Sequence, residues 1–313
     1  MADPAPPDEI AGTPAHRSGF ACFVGRPNVG KSTLLNAVMG EKIAITSDRP
    51  QTTRRAIRGV LTRPDAQLVI VDTPGMHKPR TLLGQRLGDL IRSVWSDVDV
   101  VGFCVPAGEK IGPGDRRIAA ELAEQAARTP VIGIVTKTDL VGKDRVAEQL
   151  MALSDFDGIV DVVPVSATAG YQVTTLVDLL IARLPPGPPL YPDAEVTDEP
   201  LDTRIAEIVR EAALDGAREE LPHSLAVLVD EILPREGRTD LQDVYVTIYV
   251  ERDSQKGIVV GAGGSRLSAV GRRARPQIER LLGTKVYLSL HVTVAKEWQR
   301  DPKLLRRLGF DPA

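Results

Sequence analysis

The sequence predicts an α/β domain, with a mostly parallel sheet and helices on both faces, followed by a smaller α+β domain. Three observations predict it. From residue 20 onward, short apolar runs alternate with longer amphipathic stretches, the pattern of parallel strands joined through helices. Residues 185–200 then carry six prolines in 16 residues. Proline fixes φ and removes a backbone donor, so a stiff, extended linker outside any core is expected there. The charge is also divided: residues 1–251 hold 26 Lys+Arg against 37 Asp+Glu, and residues 252–313 hold 13 against 5. The net charge of −3 is therefore a cancellation, and a short basic segment on an acidic chain points to an anionic partner.

The composition, 42% hydrophobic and 26% charged over 313 residues, suits two or three globular domains and excludes a disordered or fibrous chain. Two cysteines, Cys22 and Cys104, are too few for a disulfide framework, and no CxxC or His/Cys cluster suggests zinc. Both lie in apolar runs and read as buried thiols. No stretch approaches the roughly 18 apolar residues of a membrane span. Residues 1–18, rich in Pro, Ala and acids, lack the apolar core of a secretory signal and are expected to be a disordered tail on a cytoplasmic chain.

In order, the runs 20–24, 67–72, 98–105, 130–136 and 162–166 are expected strands, and 31–40, 82–95, 114–128 and 173–184 expected helices. Residues 56–61 fit an additional edge strand. This first domain spans 19–184. After the linker, 201–313 make the second domain: a helix over 202–220, alternating runs at 224–233 and 243–251, helical segments over 257–282, a strand at 285–295 and a basic tail. No internal repeat is present.

The chemistry starts at the end of the first strand. Gly25, Arg26, Pro27, Asn28, Val29, Gly30, Lys31 and Ser32 spell G-x-x-x-x-G-K-S, opening a helix that continues with Thr33. Glycines let the backbone turn its N–H groups toward phosphate oxygens, and the helix N-terminus adds its positive end. Lys31 would bridge β- and γ-phosphates and Ser32 would ligate Mg²⁺. A nucleotide triphosphate is the expected ligand. Asp72, Thr73, Pro74 and Gly75 end the next apolar strand; the carboxylate can reach the Mg²⁺ shell, and Gly75 can turn its N–H toward a γ-phosphate. Between them, Gln51-Thr-Thr-Arg-Arg55 offers Thr52 or Thr53 to complete that shell.

Base selection falls to two further strand ends, at the carboxyl edge where ligands bind in this architecture. Thr136, Lys137, Thr138 and Asp139 form one, and Ser166, Ala167 and Thr168 the other. Asp139 can accept from the N1–H and exocyclic amine of guanine, the Lys137 stem can lie over the purine, and the Ala167 N–H can donate to O6.

The segments GRPNVGKS, QTTRR, DTPG, TKTD and SAT resemble the five motifs of translation-factor-class small GTPases. With the surrounding ITSDRPQTTRRAIRGV and VDTPGMHKPR, the chain from residue 20 to 310 resembles the Era family of bacterial ribosome-associated GTPases. The resemblance implies GTP hydrolysis to GDP, with Mg²⁺ as cofactor and Lys31, Thr53 and Gly75 as the catalytic set. The family usually has Asn where Thr136 stands, so guanine preference is expected to survive with weaker binding. Met76 occupies the position of the water-orienting Gln of Ras-like enzymes, which implies slow intrinsic hydrolysis. His77 beside it reads as a solvent-facing or a catalytic histidine. Asn28 suggests a K⁺ near the β/γ bridge, and K⁺-stimulated hydrolysis is expected from it.

In the second domain, Gly261, Ala262, Gly263 and Gly264 spell G-x-x-G between two helical stretches. In KH domains such a loop clamps single-stranded RNA, and the order α-β-β-α-α-β fits the type II arrangement that the resemblance implies. Ser265, Arg266, Arg272 and Arg273 follow the loop as RNA contacts, while Ile258 and Val260 line an apolar floor for bases or belong to the core with Val259. Both x positions are small, so phosphate contact through the loop rests on backbone N–H groups. The resemblance further implies the 3′ region of 16S rRNA and the 30S subunit as partners, a role in small-subunit assembly, a monomer, and a peripheral contact with the inner face of the membrane. Two other readings stay open: an RNA-binding scaffold with a vestigial GTPase, and a P-loop ATPase or kinase of another class.

Overall fold

The computed structural model describes residues 16–47, 53–75, 81–125, 128–215 and 221–310. The first domain runs β1 (Arg17–Val24), α1 (Lys31–Met39), β2 (Ile57–Arg63), β3 (Ala66–Asp72), α2 (Leu82–Ser96), β4 (Val100–Pro106), α3 (Pro113–Gln125), β5 (Val131–Thr136), α4 (Lys143–Ser154), β6 (Ile159–Pro164) and α5 (Val173–Ile181). Its six strands stand in the order β2-β3-β1-β4-β5-β6. All neighbours are parallel except β2, which pairs antiparallel with β3 at the edge. Strands β3, β4 and β5 are buried along their whole length, as sheets covered on both faces require. One apolar cluster holds Phe23, Leu34, Ile70, Ile134 and Leu180, and the other Cys22, Trp95, Phe103, Ile118 and Leu153. The two faces of β1 thus feed two cores.

The second domain runs α6 (Leu201–Leu214), α7 (Leu221–Ser224), β7 (Ala226–Pro234), β8 (Leu241–Val250), α8 (Asp253–Val260), α9 (Ser265–Leu282), β9 (Lys285–Val294) and α10 (Pro302–Arg307). Its sheet order is β7-β8-β9, with β8 antiparallel to β7 and parallel to β9. Helices α6 and α9 cover one face through Ile205, Val209, Val270, Ala274 and Ile278. The α/β architecture followed by a smaller α+β unit is the class that the sequence predicts.

Several expectations need correction. Arg17 and Ser18 are not tail but the start of β1, and the Arg17 N–H bonds to the Asp65 carbonyl at 3.1 Å. The proline-rich segment is not detached from the core. Its Val196 packs on the first cluster, and the Gln67 side chain accepts from the N–H groups of Leu190 and Tyr191 at 2.6 and 2.8 Å. The Val196 carbonyl accepts from the Val60 N–H of β2 at 2.8 Å, and the Tyr191 carbonyl from the Gln67 side chain at 2.9 Å. Ser166 lies beyond β6, in a bridge to Tyr171. Residues 295–310 are packed, not a free tail: Leu304, Leu305, Leu308 and Phe310 give α10 and its C-terminal turn an apolar side. That side joins Trp298, Ala226 and Tyr249 and receives Leu83 and Leu87 from α2. Helix α2 therefore buries its first two turns on the second domain and Ile91 and Trp95 in the first.

Candidate functional site

Between β1 and α1 the backbone takes positive φ at Gly25 (155°), Asn28 (64°) and Gly30 (102°), the alternation that builds an anion-holding loop. A Cβ at Gly25 would approach the Cys104 carbonyl to 2.5 Å, so close packing on β4 demands glycine there. Lys31 is buried at the head of α1, and its Nζ donates to the carbonyls of Gly25 and Arg26 at 3.1 and 2.9 Å. Burial lowers its pKa, with Asp72 opposing. The loop thus keeps an ammonium at its centre, held by carbonyls that a phosphate can replace. Val29 is buried and Pro27, Ser32 and Thr33 line the same hollow. Arg26 leaves it: the guanidinium bonds Asp115 at 2.7 Å and Glu109 at 2.9 Å, so only its backbone belongs to the loop.

Three oxygens converge beside Lys31. Ser32 Oγ donates to Asp72 Oδ2 at 2.6 Å, Thr53 Oγ1 donates to the same oxygen at 3.1 Å, and the two hydroxyls lie 2.8 Å apart. Asp72 is fully buried, and burial raises its pKa despite the Ser32 bond and Lys31. Its Oδ1 is buried with no hydrogen-bond partner among the described residues. A hard, oxygen-only donor set with one unsatisfied carboxylate oxygen fits a small divalent cation such as Mg²⁺. Thr53 supplies one of these hydroxyls; Thr52 lies outside the described residues. Thr73 Oγ1 donates to the Phe23 carbonyl at 3.0 Å, tying Thr73-Pro74-Gly75 to β1. A Cβ at Gly75 would stand 2.7 Å from Pro27 Cα and N, so the two loops touch only because residue 75 has no side chain. Met76 and His77 lie outside the described residues.

At the next strand end, Thr136 Oγ1 donates to the Val29 carbonyl at 2.6 Å. The hydroxyl thus grips the phosphate loop from the position where the family usually has Asn. Lys137 takes a left-handed conformation (φ 56°) and its Nζ reaches the Asn28 carbonyl at 2.6 Å, laying its stem across the cavity mouth. Thr138 begins a short turn of helix. Asp139 accepts from Ser166 Oγ at 2.6 Å and Thr168 Oγ1 at 3.3 Å. The Ser166 bond, opposed by slight desolvation, keeps the carboxyl below the usual aspartate range, anionic and aimed by its neighbours. Ala167 packs on the first core, which fixes the SAT turn beside Asp139.

The residues expected from the sequence to contact RNA sit around the junction of α8 and α9. Gly261, Gly263 and Gly264 have φ of 74°, 56° and 78°, and a Cβ at Gly261 would meet the Arg266 backbone N at 2.9 Å. Ala262 and Gly263 are exposed. Of the three apolar residues before the loop, Val259 belongs to the core, Val260 packs against it half-buried, and Ile258 is 51% exposed. Ser265 and Arg272 are exposed. Arg266 instead reaches back to the Ala213 and Asp215 carbonyls, each at 3.4 Å, and Arg273 pairs with Asp215.

Sequence reading did not anticipate how closely the second domain approaches the phosphate loop. The cavity around Lys31, about 680 Å³, is also lined by Glu211, Asp215, Arg273 and Gln277. Glu211 accepts from the Thr46 N–H at 2.9 Å and from Lys42, and Lys42 also donates to Gln277 at 2.8 Å. On the far side of Thr53, Arg54 is 2% exposed and donates to the Leu225 and Pro222 carbonyls at 2.7 and 2.8 Å, with its guanidinium 5.7 Å from the Trp298 ring centre. Arg55 bonds the Leu308 carbonyl at 2.5 Å and lies over Phe310. These partners are more than 140 residues apart in sequence, and no local pattern announces them.

The Gly25–Ser32 loop, the Ser32–Thr53–Asp72 oxygen cluster and the Asp139–Ser166 pair on a mostly parallel sheet, joined to a KH-type α+β unit, define a two-domain P-loop GTPase. A family model described as a 50S ribosome-binding GTPase matches residues 20–137, and a KH domain model matches 220–299. The chain is 63% identical over 295 residues to GTPase Era of Mycobacterium sp. (strain JLS), covering 94% of this chain and 99% of the relative. It is 61% identical to GTPase Era of Streptomyces coelicolor, covering 94% and 95%. A crystal structure of Era with MgGDPNP and nucleotides 1506–1542 of 16S ribosomal RNA is 36% identical, with a TM-score of 0.89 over 94% of this chain and 99% of that one. An Aquifex aeolicus Era variant bound to GDP·AlF4⁻ is 35% identical, with a TM-score of 0.88 over the same shares. The chain belongs to the Era family of GTPases.

Proposed function

We propose that this chain is a GTP switch that binds the 3′ region of 16S rRNA through its KH domain and acts in assembly of the 30S subunit. The observation that carries it is the shared position of Thr53 and Arg54. One faces the Ser32–Asp72 oxygens where Mg²⁺·GTP would be held, and the next is buried in the KH domain. A ligand that fixes Thr53 thereby biases where the KH domain docks. The related structure holding both MgGDPNP and a 16S rRNA fragment supports the same pairing of ligands.

Within this reading, Ser32, Thr53 and Asp72 hold Mg²⁺, which would supply charge neutralisation at the β- and γ-phosphates when bound. Lys31 exchanges its carbonyl partners for phosphate oxygens, and the Gly75 N–H meets the γ-phosphate. Asp139, Lys137 and Ala167 select guanine. Asn28, with positive φ inside the loop, holds K⁺ beside the phosphates; substituting Na⁺ for K⁺ in a turnover assay is expected to slow hydrolysis, and an unchanged rate removes this element. Gly261–Gly264, Ser265 and Arg272 contact RNA, with Ile258 as an exposed apolar platform. The protein acts as a monomer in the cytoplasm, where its ribosomal partner resides. A peripheral membrane contact rests on family resemblance; among the described residues no helix is long and apolar enough to cross a membrane.

The deciding experiment measures GTP and ATP turnover with and without 30S subunits. GTP-selective hydrolysis with 30S binding supports the proposal. GTP binding without turnover under either condition would favour a scaffold with a vestigial GTPase, and equal use of ATP would favour another P-loop class.

A further inference from the structure

The wall of the nucleotide cavity contributed by the KH domain carries four polar side chains, Glu211, Asp215, Arg273 and Gln277. Two are accounted for by the loop that follows α1. Glu211 is neutralised by Lys42 and by the Thr46 N–H, and Gln277 accepts from Lys42. The remaining pair differs. Asp215, at the C-terminal end of α6, is 54% exposed and Arg273, in mid-α9, is 60% exposed, and the two are joined by an ion pair on the cavity surface. A carboxylate engages at most two of the five guanidinium donors, so Arg273 keeps further N–H groups for a second anion at the hollow that it lines. The planar fork matches phosphate as well as carboxylate. Opposite it stand the loop backbone, the α1 N-terminus and Lys31, all arranged for an anion.

We propose that Arg273 binds the phosphates of the bound nucleotide, so that the KH domain supplies a ligand-contacting cation to the GTP site of its own chain. This rests on the reading of the cavity as the GTP site. It also divides one helix between two ligands. Successive residues of an α-helix point about 100° apart, so Arg272 and Arg273 leave α9 on different sides. Arg272 is exposed, off the core stripe of Val270, Ala274 and Ile278, and is left for RNA. Arg273, with Gln277 one turn further on, faces the first domain. In the sequence both arginines look like RNA contacts, because charge density does not record helix face.

The test uses the full chain and isothermal titration with unlabelled GDPNP and Mg²⁺, together with binding of a 16S 3′-end oligonucleotide in the absence of nucleotide. Arg273→Ala is expected to weaken GDPNP binding about 10-fold, the low end for a hydrogen bond to a charged group at a half-open site, while oligonucleotide affinity stays within about 2-fold. Arg272→Ala is expected to show the converse. A bland alternative is that Arg273 only screens Asp215 from the phosphates. The pair Asp215→Asn and Asp215→Asn/Arg273→Ala separates the two: direct contact leaves the double variant weak, whereas screening returns it to the affinity of the unchanged chain and overturns the proposal. Unchanged GDPNP affinity in Arg273→Ala overturns it, as does an equal loss of GDPNP and nucleotide-free RNA binding, which would mark a structural role. If the unchanged chain binds no GDPNP, the reading of the cavity itself fails, and the proposal with it.

Discussion

Replacing Arg54 with alanine removes the contact that most directly joins the metal-side loop to the KH domain. Its guanidinium makes two hydrogen bonds to buried carbonyls, at 2.7 and 2.8 Å, and lies over Trp298. Bonds from a charged donor contribute roughly 1.5–3 kcal/mol each, and a desolvated cation–π contact about 2. Against this stands the desolvation of a buried cation, several kcal/mol. Burial, and then the nearby Arg210, pull its pKa down to about 9, which is the same cost seen from the proton's side; the group remains cationic at neutral pH. The net expected loss is ~2–4 kcal/mol of domain docking, a fall of about 30- to 700-fold in the docking constant. Trp298, fully buried in the interdomain cluster, reports on it, while Trp95, buried between α2 and the first sheet, serves as the internal reference. Acrylamide quenching through a sub-denaturing urea series is expected to show Trp298 opening at lower urea in Arg54→Ala, before Trp95 responds. Coincident opening in the variant and the unchanged chain would refute the assignment of Arg54 as the anchor.

Three further outcomes follow from the site. Thr136→Ala removes the 2.6 Å bond to the Val29 carbonyl and is expected to weaken GDP and GTP binding about 5- to 30-fold, an unsatisfied buried acceptor costing ~1–2 kcal/mol; Thr136→Asn should bind at least as tightly as the unchanged chain in the same titration. Gly75→Ala places a methyl 2.7 Å from the Pro27 backbone and is expected to lower GTP turnover by about 10- to 100-fold, since small misplacements of reacting groups cost rates of that order, with GDP affinity less affected. Burial holds the Asp72 pKa above that of an ordinary aspartate, so Mg²⁺ must displace a proton that is retained to higher pH. Mg²⁺-dependent nucleotide affinity should therefore fall with decreasing pH, starting at higher pH than an unperturbed carboxylate would give, and Asp72→Asn should abolish that pH dependence.

The G-domain chemistry was legible because it is local. Phosphate binding needs glycines at fixed offsets, a strand before them and a helix after, and Gly25 to Ser32 state all three. Thr136 shows the limit even there, since the sequence exposes the missing Asn amide but not that a hydroxyl reaches the same loop. The KH loop was legible from glycine spacing and element order, yet the roles of its arginines were not. Arg266 turns to α6 carbonyls and Arg273 to the nucleotide cavity, because helix face and a long-range partner decide direction. The α10 segment carried a visible signal, Leu304, Leu305 and Leu308 at helical spacing, that the surrounding basic residues masked. Arg54 and Glu211 carried none. A buried arginine looks like any other until its carbonyl partners, some 170 residues away, are placed around it.

The central claim is that one chain couples a GTP site to an RNA-binding KH domain through contacts at both ends of the loop containing Thr53. The most direct measurement is the affinity of the full chain for an oligonucleotide of the 16S 3′ end, with Mg²⁺·GDPNP, with Mg²⁺·GDP and without nucleotide, at fixed salt. Binding is expected to be tighter with GDPNP than in either other state, with affinity falling as salt rises because Lys and Arg release counterions from phosphate. Equal affinity in all three states would contradict it.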